Sequence, residues 1–270
     1  MKAKGPALSS DAAVLEVGPH RLESVLFRPR EAAGDGPTLV LLHEGLGSVS
    51  LWRDFPQRLA DATGLPAFVY SRRGYGRSSP YPPPWPVRYM HDEAELLPEV
   101  LRKAGIGEHV LLGHSDGASI ALLSAGAGGA PGLQGLVLEA PHVFAEEVGL
   151  RSIAQMRDAY AVTDLKARLG RHHQDPDNAF RGWNGAWLDP LFRAWNIEDA
   201  LPGIRVPTLI IQGEDDEYGT LAHAEAIQRH SGGPATTLLV PRAGHSPHKD
   251  QPEAVLAGIV GFMTRLRDVR

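Results

Sequence analysis

A serine between glycines lies near the middle of the sequence, in the segment Gly113-His114-Ser115-Asp116-Gly117. The apolar run HVLL precedes this segment and the run ASIALL follows it, so a strand should end here and a helix should begin. Small residues on both sides allow a sharp turn that lifts the hydroxyl clear of the strand, beside a helix N-terminus that favours developing negative charge. The segment therefore predicts a nucleophilic serine, and its alternative interpretation is an ordinary helix start.

A serine hydroxyl becomes a good nucleophile only when a base takes its proton and an acidic side chain holds that base in place. Residues of both types follow predicted strands farther along the chain. Asp216 comes after the run TLIIQG, and His245 lies in the Gly-containing segment RAGHSPHKD after the run TTLLV. Their order predicts that Ser115, His245 and Asp216 form a catalytic triad for acyl transfer.

Neighbouring residues compete for the two downstream roles. Asp215 should point to the opposite side of an extended segment from Asp216, which makes it the weaker candidate. Glu139 ends the predicted strand after the serine segment and could act as the acid instead. His248 competes with His245, although the glycine before His245 favours the sharper turn there. A turn-forming aspartate and a solvated loop histidine are the ordinary alternatives for the two predicted partners.

Acyl transfer also needs hydrogen-bond donors for the oxyanion that forms when the carbonyl is attacked. The Gly-rich segment LLHEGLGS leaves an early predicted strand, and its backbone N–H groups can supply one donor. The amide of Asp116, directly after the serine, can supply the other. The sequence leaves open whether the amide of Gly45 or that of Leu46 takes part.

Short apolar runs alternate with longer segments of helical period, which predicts an α/β fold with a mostly parallel central sheet and flanking helices. A leading antiparallel hairpin is predicted around Gly18 and Pro19. The further predicted strands are TLVLLH, AFVYS, HVLLG, GLVLEA, TLIIQG and TTLLV. The predicted helices include LWRDFPQRLADATG, HDEAELLPEVLRKAG, AEAIQRH and a last helix from about Pro252 to Arg267.

The interval between Glu139 and Arg205 is too long for a simple connection between strands. It contains two stretches of helical period, LRSIAQMRDAYAVTDLKARLGRHH and NAFRGWNGAWLDPLFRAWNIEDAL. We therefore predict an inserted helical cap over residues 141–200. Residues 1–140 and 201–270 are predicted to form the main domain.

The possible pocket wall combines residues of the main domain and of the cap. Trp183, Trp187 and Trp195 recur at roughly helical spacing, where large aromatic side chains ordinarily pack a core and substrate contact is the alternative. His172 and His173 predict a solvated turn and no metal site, because adjacent histidines on a helix do not face one ligand. The residues assigned to the possible pocket are Glu44, His114, Glu139, Trp183 and Trp187.

Composition excludes several classes of protein. The formal net charge is -5 and no basic stripe is present, so nucleic acid is not an expected partner. Cysteine is absent, which excludes disulfides, thiol nucleophiles and thiolate metal sites. No apolar run is long enough for a membrane span, and no signal-type apolar stretch follows Lys2 and Lys4. We expect a cytoplasmic protein that acts on a small molecule without metal or cofactor; the oligomeric state is left open.

These segments together resemble the α/β-hydrolase family over nearly the whole chain. The resemblance rests on the His-x-Gly-x-Gly-like turn, SRRGYGRSS, the serine segment, the acid after TLIIQG, and GHSPHKDQPE. It implies Ser115 as nucleophile, His245 as general base and acid, Asp216 as its orienting partner, and a cap that selects the substrate. Glu44 stands where many members continue directly from histidine to glycine.

The expected function is hydrolysis of a small, mainly apolar ester or thioester through an acyl-serine intermediate. One alternative is a carbon-carbon bond hydrolase of ring-fission products on the same fold, and another is a ligand receptor with slow turnover. Arg72, Arg73 and Arg77 bear on this choice. They could recognise an acidic substrate or a coenzyme A phosphate, or they could tie loops together by hydrogen bonds.

Overall fold

Parallel strands form the centre of an eight-stranded sheet with the order β1-β2-β4-β3-β5-β6-β7-β8. The structure is a computed structural model, and it describes residues 10–31 and 34–268; Lys2 and Lys4 lie outside them. The strands β3 to β8 run parallel, while the β1–β2 hairpin adds antiparallel to β4. This arrangement confirms the predicted fold class. The strands are β1 Ser10–Val17, β2 His20–Phe27, β3 Thr38–Leu42, β4 Ala67–Tyr70, β5 His109–His114, β6 Leu133–Glu139, β7 Thr208–Gly213 and β8 Ala235–Val240.

Helices cover both faces of the sheet, so the central strands alternate between two apolar cores. Val40 and Leu42 of β3 contribute to one core, and Leu39 and Leu41 contribute to the other. The first core includes side chains of α2, α3 and α7, and the second includes those of α1 and α9. These helices are α1 Phe55–Thr63, α2 Tyr89–Lys103, α3 Asp116–Gly126, α7 Ala222–His230 and α9 Pro252–Asp268, with the short α8 Pro247–Asp250 before the last.

The first predicted helix is shorter than the sequence indicates. Residues Val49–Trp52 form a 3-10 turn, and Arg53 then adopts a positive φ of 54°. This conformation interrupts regular helical geometry, because L residues in an α-helix have negative φ. Helix α1 therefore begins only at Phe55, with Pro56 in its first turn, where a missing N–H costs no hydrogen bond.

The chain between β6 and β7 is mostly helical. The first predicted helical stretch divides at Thr163, whose hydroxyl donates to the Ala159 carbonyl and accepts the Leu165 N–H. The carboxylate of Asp175 then accepts the Asn178 N–H and begins the next helix. The assignment of residues 141–200 to a separate cap remains a prediction. The elements are α4 Glu147–Val162, α5 Leu165–Leu169, α6 Pro176–Trp187 and the 3-10 helices Pro190–Ala194 and Glu198–Gly203.

Helix α6 packs closely against the loop before α2. The indole of Trp85 is 4% exposed and contacts the rings of Tyr75 and Tyr89. Gly182 of α6 lies directly on this indole, so closely that an added Cβ would be 2.0 Å from Cε2. The absence of a side chain at this glycine thus sets how near the inserted helices come to the sheet.

Within residues 10–31 and 34–268, no helix is long and apolar enough to cross a membrane.

Replacing Gly182 by alanine should destabilise the protein, because the added methyl group would collide with the buried Trp85 ring. The overpacking should lower the free energy of unfolding by about 1–3 kcal/mol. Gly185→Ala is the matched control in the same helix: nothing lies within 4 Å of its added methyl group. That control should raise the free energy of unfolding by about 0.5–1 kcal/mol. Urea denaturation measures both, and equal effects would contradict the packing argument.

Candidate active site

Ser115 lies at the sharp turn between β5 and α3. Its φ of 54° belongs to a region that L residues with a side chain rarely adopt. The flanking glycines are required by close approach rather than by their own dihedral angles. A Cβ on Gly117 would lie 2.0 Å from the Leu42 carbonyl oxygen, and one on Gly113 would lie 2.3 Å from the Gly117 carbonyl oxygen. Their small size lets α3 pack directly on the sheet and directs the Ser115 hydroxyl away from it.

The structure brings together the three side chains of the predicted triad. Ser115 Oγ lies 2.9 Å from His245 Nε2, and His245 Nδ1 lies 2.8 Å from Asp216 Oδ1. The carboxylate of Asp216 also accepts the backbone N–H groups of Tyr218 and Gly219. Asp215, the weaker candidate for the acid, has an exposed side chain. The arrangement is a continuous hydrogen-bonded chain from carboxylate to hydroxyl.

The environment of Asp216 keeps its carboxyl group ionised. Burial alone would raise its pKa, but the hydrogen bond from His245, the charge interaction with His245 and the Tyr218 N–H hold the pKa well below its usual range. The ionised carboxylate accepts a hydrogen bond from Nδ1–H, so the Nε2 lone pair is directed at the Ser115 hydroxyl. The histidine is therefore held in the tautomer that can take the serine proton.

Glu139 and His248, the competing acid and base, form a second buried pair. Glu139 Oε1 accepts the backbone N–H of His248 at 2.6 Å, and both carboxylate oxygens lie 2.9 Å from His248 Nδ1. Burial would raise the pKa of Glu139, but its interactions with His248 and His114 outweigh that effect and lower the pKa to about 2. Glu139 is absent from the cavity wall described below, so its assignment to the pocket is corrected. It holds the loop that carries His245.

A metal ion has one conceivable site among the described residues. The donor atoms of His114, Glu139 and His248 all lie within 4.8 Å of one another. Hydrogen bonds within the protein use both Glu139 oxygens, His248 Nδ1 and His114 Nε2, which donates to the His245 carbonyl at 2.7 Å. His114 Nδ1 and His248 Nε2 have no hydrogen-bond partner among the described residues. The hydrogen bonds of this group anchor the loop that carries His245 to the ends of β5 and β6.

The turn after β3 supplies candidate oxyanion donors. The Glu44 carbonyl accepts from the Gly47 N–H at 3.0 Å, from His43 Nδ1 at 2.7 Å and from an Arg72 amino group at 3.1 Å. Because C=O and N–H point in opposite directions in a trans peptide, the Gly45 N–H is directed away from these donors. Among the described residues, neither the Gly45 amide nor that of Leu46 donates a hydrogen bond to protein. Both remain available to a ligand.

Arg72 and Arg73 lie inside the protein rather than in the cavity wall. The side chain of Arg72 is 1% exposed and donates to the carbonyls of His43 and Glu44. Arg73 pairs with the buried Glu93 at 2.7 Å. These contacts favour the interpretation that the arginines tie loops together, and they remove the structural support for recognition of an acidic substrate by Arg72 or Arg73.

A cavity of about 250 Å³ opens beside Ser115. Trp183 and Trp187 have little solvent exposure and also line this cavity, so core packing and pocket lining occur together in both residues. The indole N–H of Trp187 lies 3.2 Å from Asp116 Oδ1. Among the described residues, no lysine or arginine lines this cavity. The wall consists of Glu44, Gly45, Leu46, His114, Ser115, Asp116, His142, Ile153, Met156, Trp183, Trp187, Glu217, Tyr218, His245 and Ser246.

Sequence reasoning missed two histidines of this region. His173, predicted in a solvated turn, is 3% exposed; its Nδ1 accepts the Gly76 N–H and its Nε2 donates to the Leu46 carbonyl. His173 is buried because its ring bonds two loops distant in the chain, those after β3 and β4. His142 lies in the cavity wall, shortly after the end of β6. Its position beyond the carboxyl end of a parallel strand was a usable signal.

Comparison with known sequences gives a consistent family assignment. The profile described as the alpha/beta hydrolase family matches residues 39–258. A 2-succinyl-6-hydroxy-2,4-cyclohexadiene-1-carboxylate synthase from Enterobacter sp. (strain 638) is 27% identical over 259 residues, which cover 86% of this chain and 94% of that protein. The enzyme of the same name from Yersinia pestis (strain Pestoides F) is 27% identical over 262 residues, with coverages of 85% and 88%.

Solved structures with the same fold include enzymes of differing specificity. Proline iminopeptidase of Mycobacterium smegmatis superposes with a TM-score of 0.74 at 19% identity, covering 95% of this chain and 98% of that chain. A thermophilic esterase from Thermogutta terrifontis superposes with a TM-score of 0.70 at 19% identity, covering 95% and 99%. At these identities the likeness establishes the fold and leaves the substrate undefined.

Glu139→Gln should destabilise the protein in a pH-dependent manner. The folded pKa of about 2 lies below the usual value of 4.5, so the carboxylate stabilises the fold above pH 4.5 and this contribution is lost as the pH falls towards 2. At pH 7, loss of one partner of a buried pair should cost on the order of 3 kcal/mol.

Urea denaturation of wild type and variant between pH 7 and pH 2.5 measures this difference. The exposed Glu225 provides the control variant Glu225→Gln, for which we expect a small difference at every pH. A difference for Glu139→Gln that stays constant over the whole pH range would show that the ionised carboxylate is not the stabilising group.

Proposed function

The chain belongs to the alpha/beta hydrolase family and is an enzyme of the hydrolase type, and on this premise we propose that it cleaves a small, mainly apolar ester or thioester. The observation that carries the proposal is the hydrogen-bonded chain Asp216–His245–Ser115 beside a cavity lined in part by apolar side chains. A hydroxyl in contact with an oriented imidazole is the arrangement that acyl transfer to serine requires. The reaction would proceed through an acyl-serine intermediate.

In the first half of the proposed reaction, Ser115 Oγ attacks the substrate carbonyl while its proton moves to His245 Nε2. The ionised Asp216 stabilises the resulting imidazolium through Nδ1–H. The carbonyl oxygen gains negative charge and is stabilised by two backbone N–H groups, that of Asp116 and one from the turn after β3. We assign the second donor to the Gly45 N–H. The Glu44 carbonyl in the same peptide group accepts three hydrogen bonds, so the Gly45 N–H points away from those three donors.

Collapse of the tetrahedral intermediate breaks the bond to the leaving group, which takes the proton from His245 Nε2 and departs as an alcohol or thiol. Water then attacks the acyl-serine ester while His245 accepts one of its protons. The second collapse returns that proton to Ser115 Oγ and releases the carboxylic acid. The cycle restores the enzyme and uses residues of this chain throughout.

The composition of the cavity wall supports a substrate without a carboxylate close to the reacting carbonyl. Its charged members include Glu44 and Glu217, and no lysine or arginine within residues 10–31 and 34–268 contributes. A carboxylate entering this cavity would lose water without gaining a cationic partner, which is unfavourable in a partly buried site. Cleavage of neutral esters or thioesters is therefore the better match.

The second candidate is carbon-carbon bond chemistry, and its support comes from the relatives. Their names describe synthases of a cyclohexadiene carboxylate that carries a succinyl group. Identity is 27%, and the buried Arg72 and Arg73 do not line the cavity of this chain. Activity on a ring-fission product in place of neutral esters would favour this candidate. Tight ligand binding with turnover near background would favour a receptor.

The direct test uses a fluorophosphonate probe together with hydrolysis of p-nitrophenyl butyrate. Wild-type protein should be labelled and should hydrolyse the ester, whereas Ser115→Ala should lose both activities. The serine oxygen is the bond-forming atom, so its removal leaves no acyl-enzyme route. Labelling that persists in folded Ser115→Ala would place the nucleophile elsewhere, and a folded wild-type protein inactive in both assays would contradict the proposed function.

Asp216→Asn should lower kcat by roughly three to four orders of magnitude, because the amide cannot hold His245 in the required tautomer. Glu139→Gln, assayed where it remains folded, should have a much smaller effect, since Glu139 contacts His248 instead. Steady-state kinetics on the butyrate ester measure both variants. A larger loss from Glu139→Gln than from Asp216→Asn would reverse the assignment of the acid.

A further inference from the structure

His142 presents a buried imidazole to the cavity beside the triad. It lies just beyond the end of β6, is 4% exposed and forms part of the cavity wall. Its ring lies 5.4 Å from that of His245 and 5.3 Å from the ring of Trp187, measured between centroids. His142 is therefore adjacent to the catalytic histidine, although it has no place in the reaction steps described above.

The backbone around His142 is fixed on both sides. Its carbonyl accepts the Ser119 hydroxyl at 2.7 Å, and the next N–H, that of Val143, donates to His223 Nδ1 at 3.3 Å. The ring packs between the rings of His223, Trp187 and His245. A side chain confined in this way offers its hydrogen-bonding atoms to a ligand without first losing rotational freedom.

The ring nitrogens of His142 have no hydrogen-bond partner among the described residues. Some polar atoms of the protein are fully enclosed and have no hydrogen-bond partner, among them His114 Nδ1 and His248 Nε2. The two nitrogens of His142 are not among these enclosed atoms. The nitrogens of His142 thus retain access to the cavity that the residue lines. An imidazole whose nitrogens face the cavity beside Ser115 can form hydrogen bonds with a group that enters this cavity.

The charge state of His142 limits the chemistry of that ligand. Burial, followed by the neighbouring His223 and His245, lowers the pKa of His142 well below its usual value. The ring is consequently neutral near pH 7, with one N–H donor and one acceptor nitrogen. Such a ring matches a neutral group that can both donate and accept, such as a hydroxyl or an amide, and offers no positive charge to a carboxylate.

We propose that His142 is a substrate-binding residue that hydrogen-bonds a hydroxyl or amide group located close to the scissile carbonyl. The substrates are accordingly esters or thioesters whose acyl part carries a neutral polar substituent, with its apolar remainder against Trp183 and Met156. This inference rests on the proposed function and narrows its substrate class. The alternative is that His142 only packs against His245.

The test compares two esters, p-nitrophenyl butyrate and p-nitrophenyl 3-hydroxybutyrate, which differ by one hydroxyl group. The readout is the ratio of kcat/KM for the hydroxylated ester to that for the plain ester. In His142→Phe, which keeps the ring and removes the hydrogen-bonding atoms, this ratio should fall at least tenfold relative to wild type. His142→Gln should restore part of the ratio, because its amide can donate and accept.

His230→Phe is the matched control, since it makes the same substitution at an exposed histidine of α7 that lies outside the cavity wall. Its ratio should stay within twofold of wild type. If His142→Phe lowers kcat/KM equally for both esters, the ratio is unchanged. That result would overturn the binding role and favour packing alone. Fluorophosphonate labelling separates the two proposals: a labelled wild type with an unchanged ratio rejects the role of His142, whereas absent labelling and turnover reject the proposed function itself.

Discussion

The positive φ of Ser115 is the constraint on which the site depends. The chain leaves β5 and enters α3 within one residue, and α3 lies so close to β3 that Gly117 cannot carry a side chain. Packing of this helix on the sheet holds the serine in a conformation that costs free energy for an L residue. The hydroxyl consequently lies in the cavity wall at the carboxyl edge of the sheet, where the loops after β3, β6, β7 and β8 also meet.

Two pairs, each of one acidic residue and one histidine, lie at this edge of the sheet. Asp216 orients His245 towards Ser115, while Glu139 binds His248 behind it. His114, within the serine segment, donates to the His245 carbonyl and so joins the nucleophile turn to the loop of the base. The ring of His245 is thus held by Asp216, and its backbone carbonyl is held by His114, the residue before Ser115. Positioning of this kind is what hydrogen-bonded triads require of their surroundings.

A buried polar network connects the site to the inserted helices. Asp116, whose amide is a proposed oxyanion donor, accepts from Tyr89 and Trp187 and lies 3.9 Å from an Arg72 amino group. Burial raises the pKa of Asp116, although Arg72 and the two hydrogen bonds oppose the rise. Through Trp187, α6 reaches the residue that follows the nucleophile. The helices that line the cavity and the turn at Ser115 therefore form one packed unit.

The sequence by itself determined the fold class and the candidate triad, because both depend on local patterns. Apolar runs mark strands wherever they occur, and Ser115, Asp216 and His245 each follow one, so a parallel sheet places all three at one edge. Tertiary structure alone decided the partner of Glu139 and the burial of the Arg72 and His173 side chains. It also decided that the His142 imidazole faces the cavity. Each of these depends on contacts between segments distant in the chain, which spacing along the sequence does not encode.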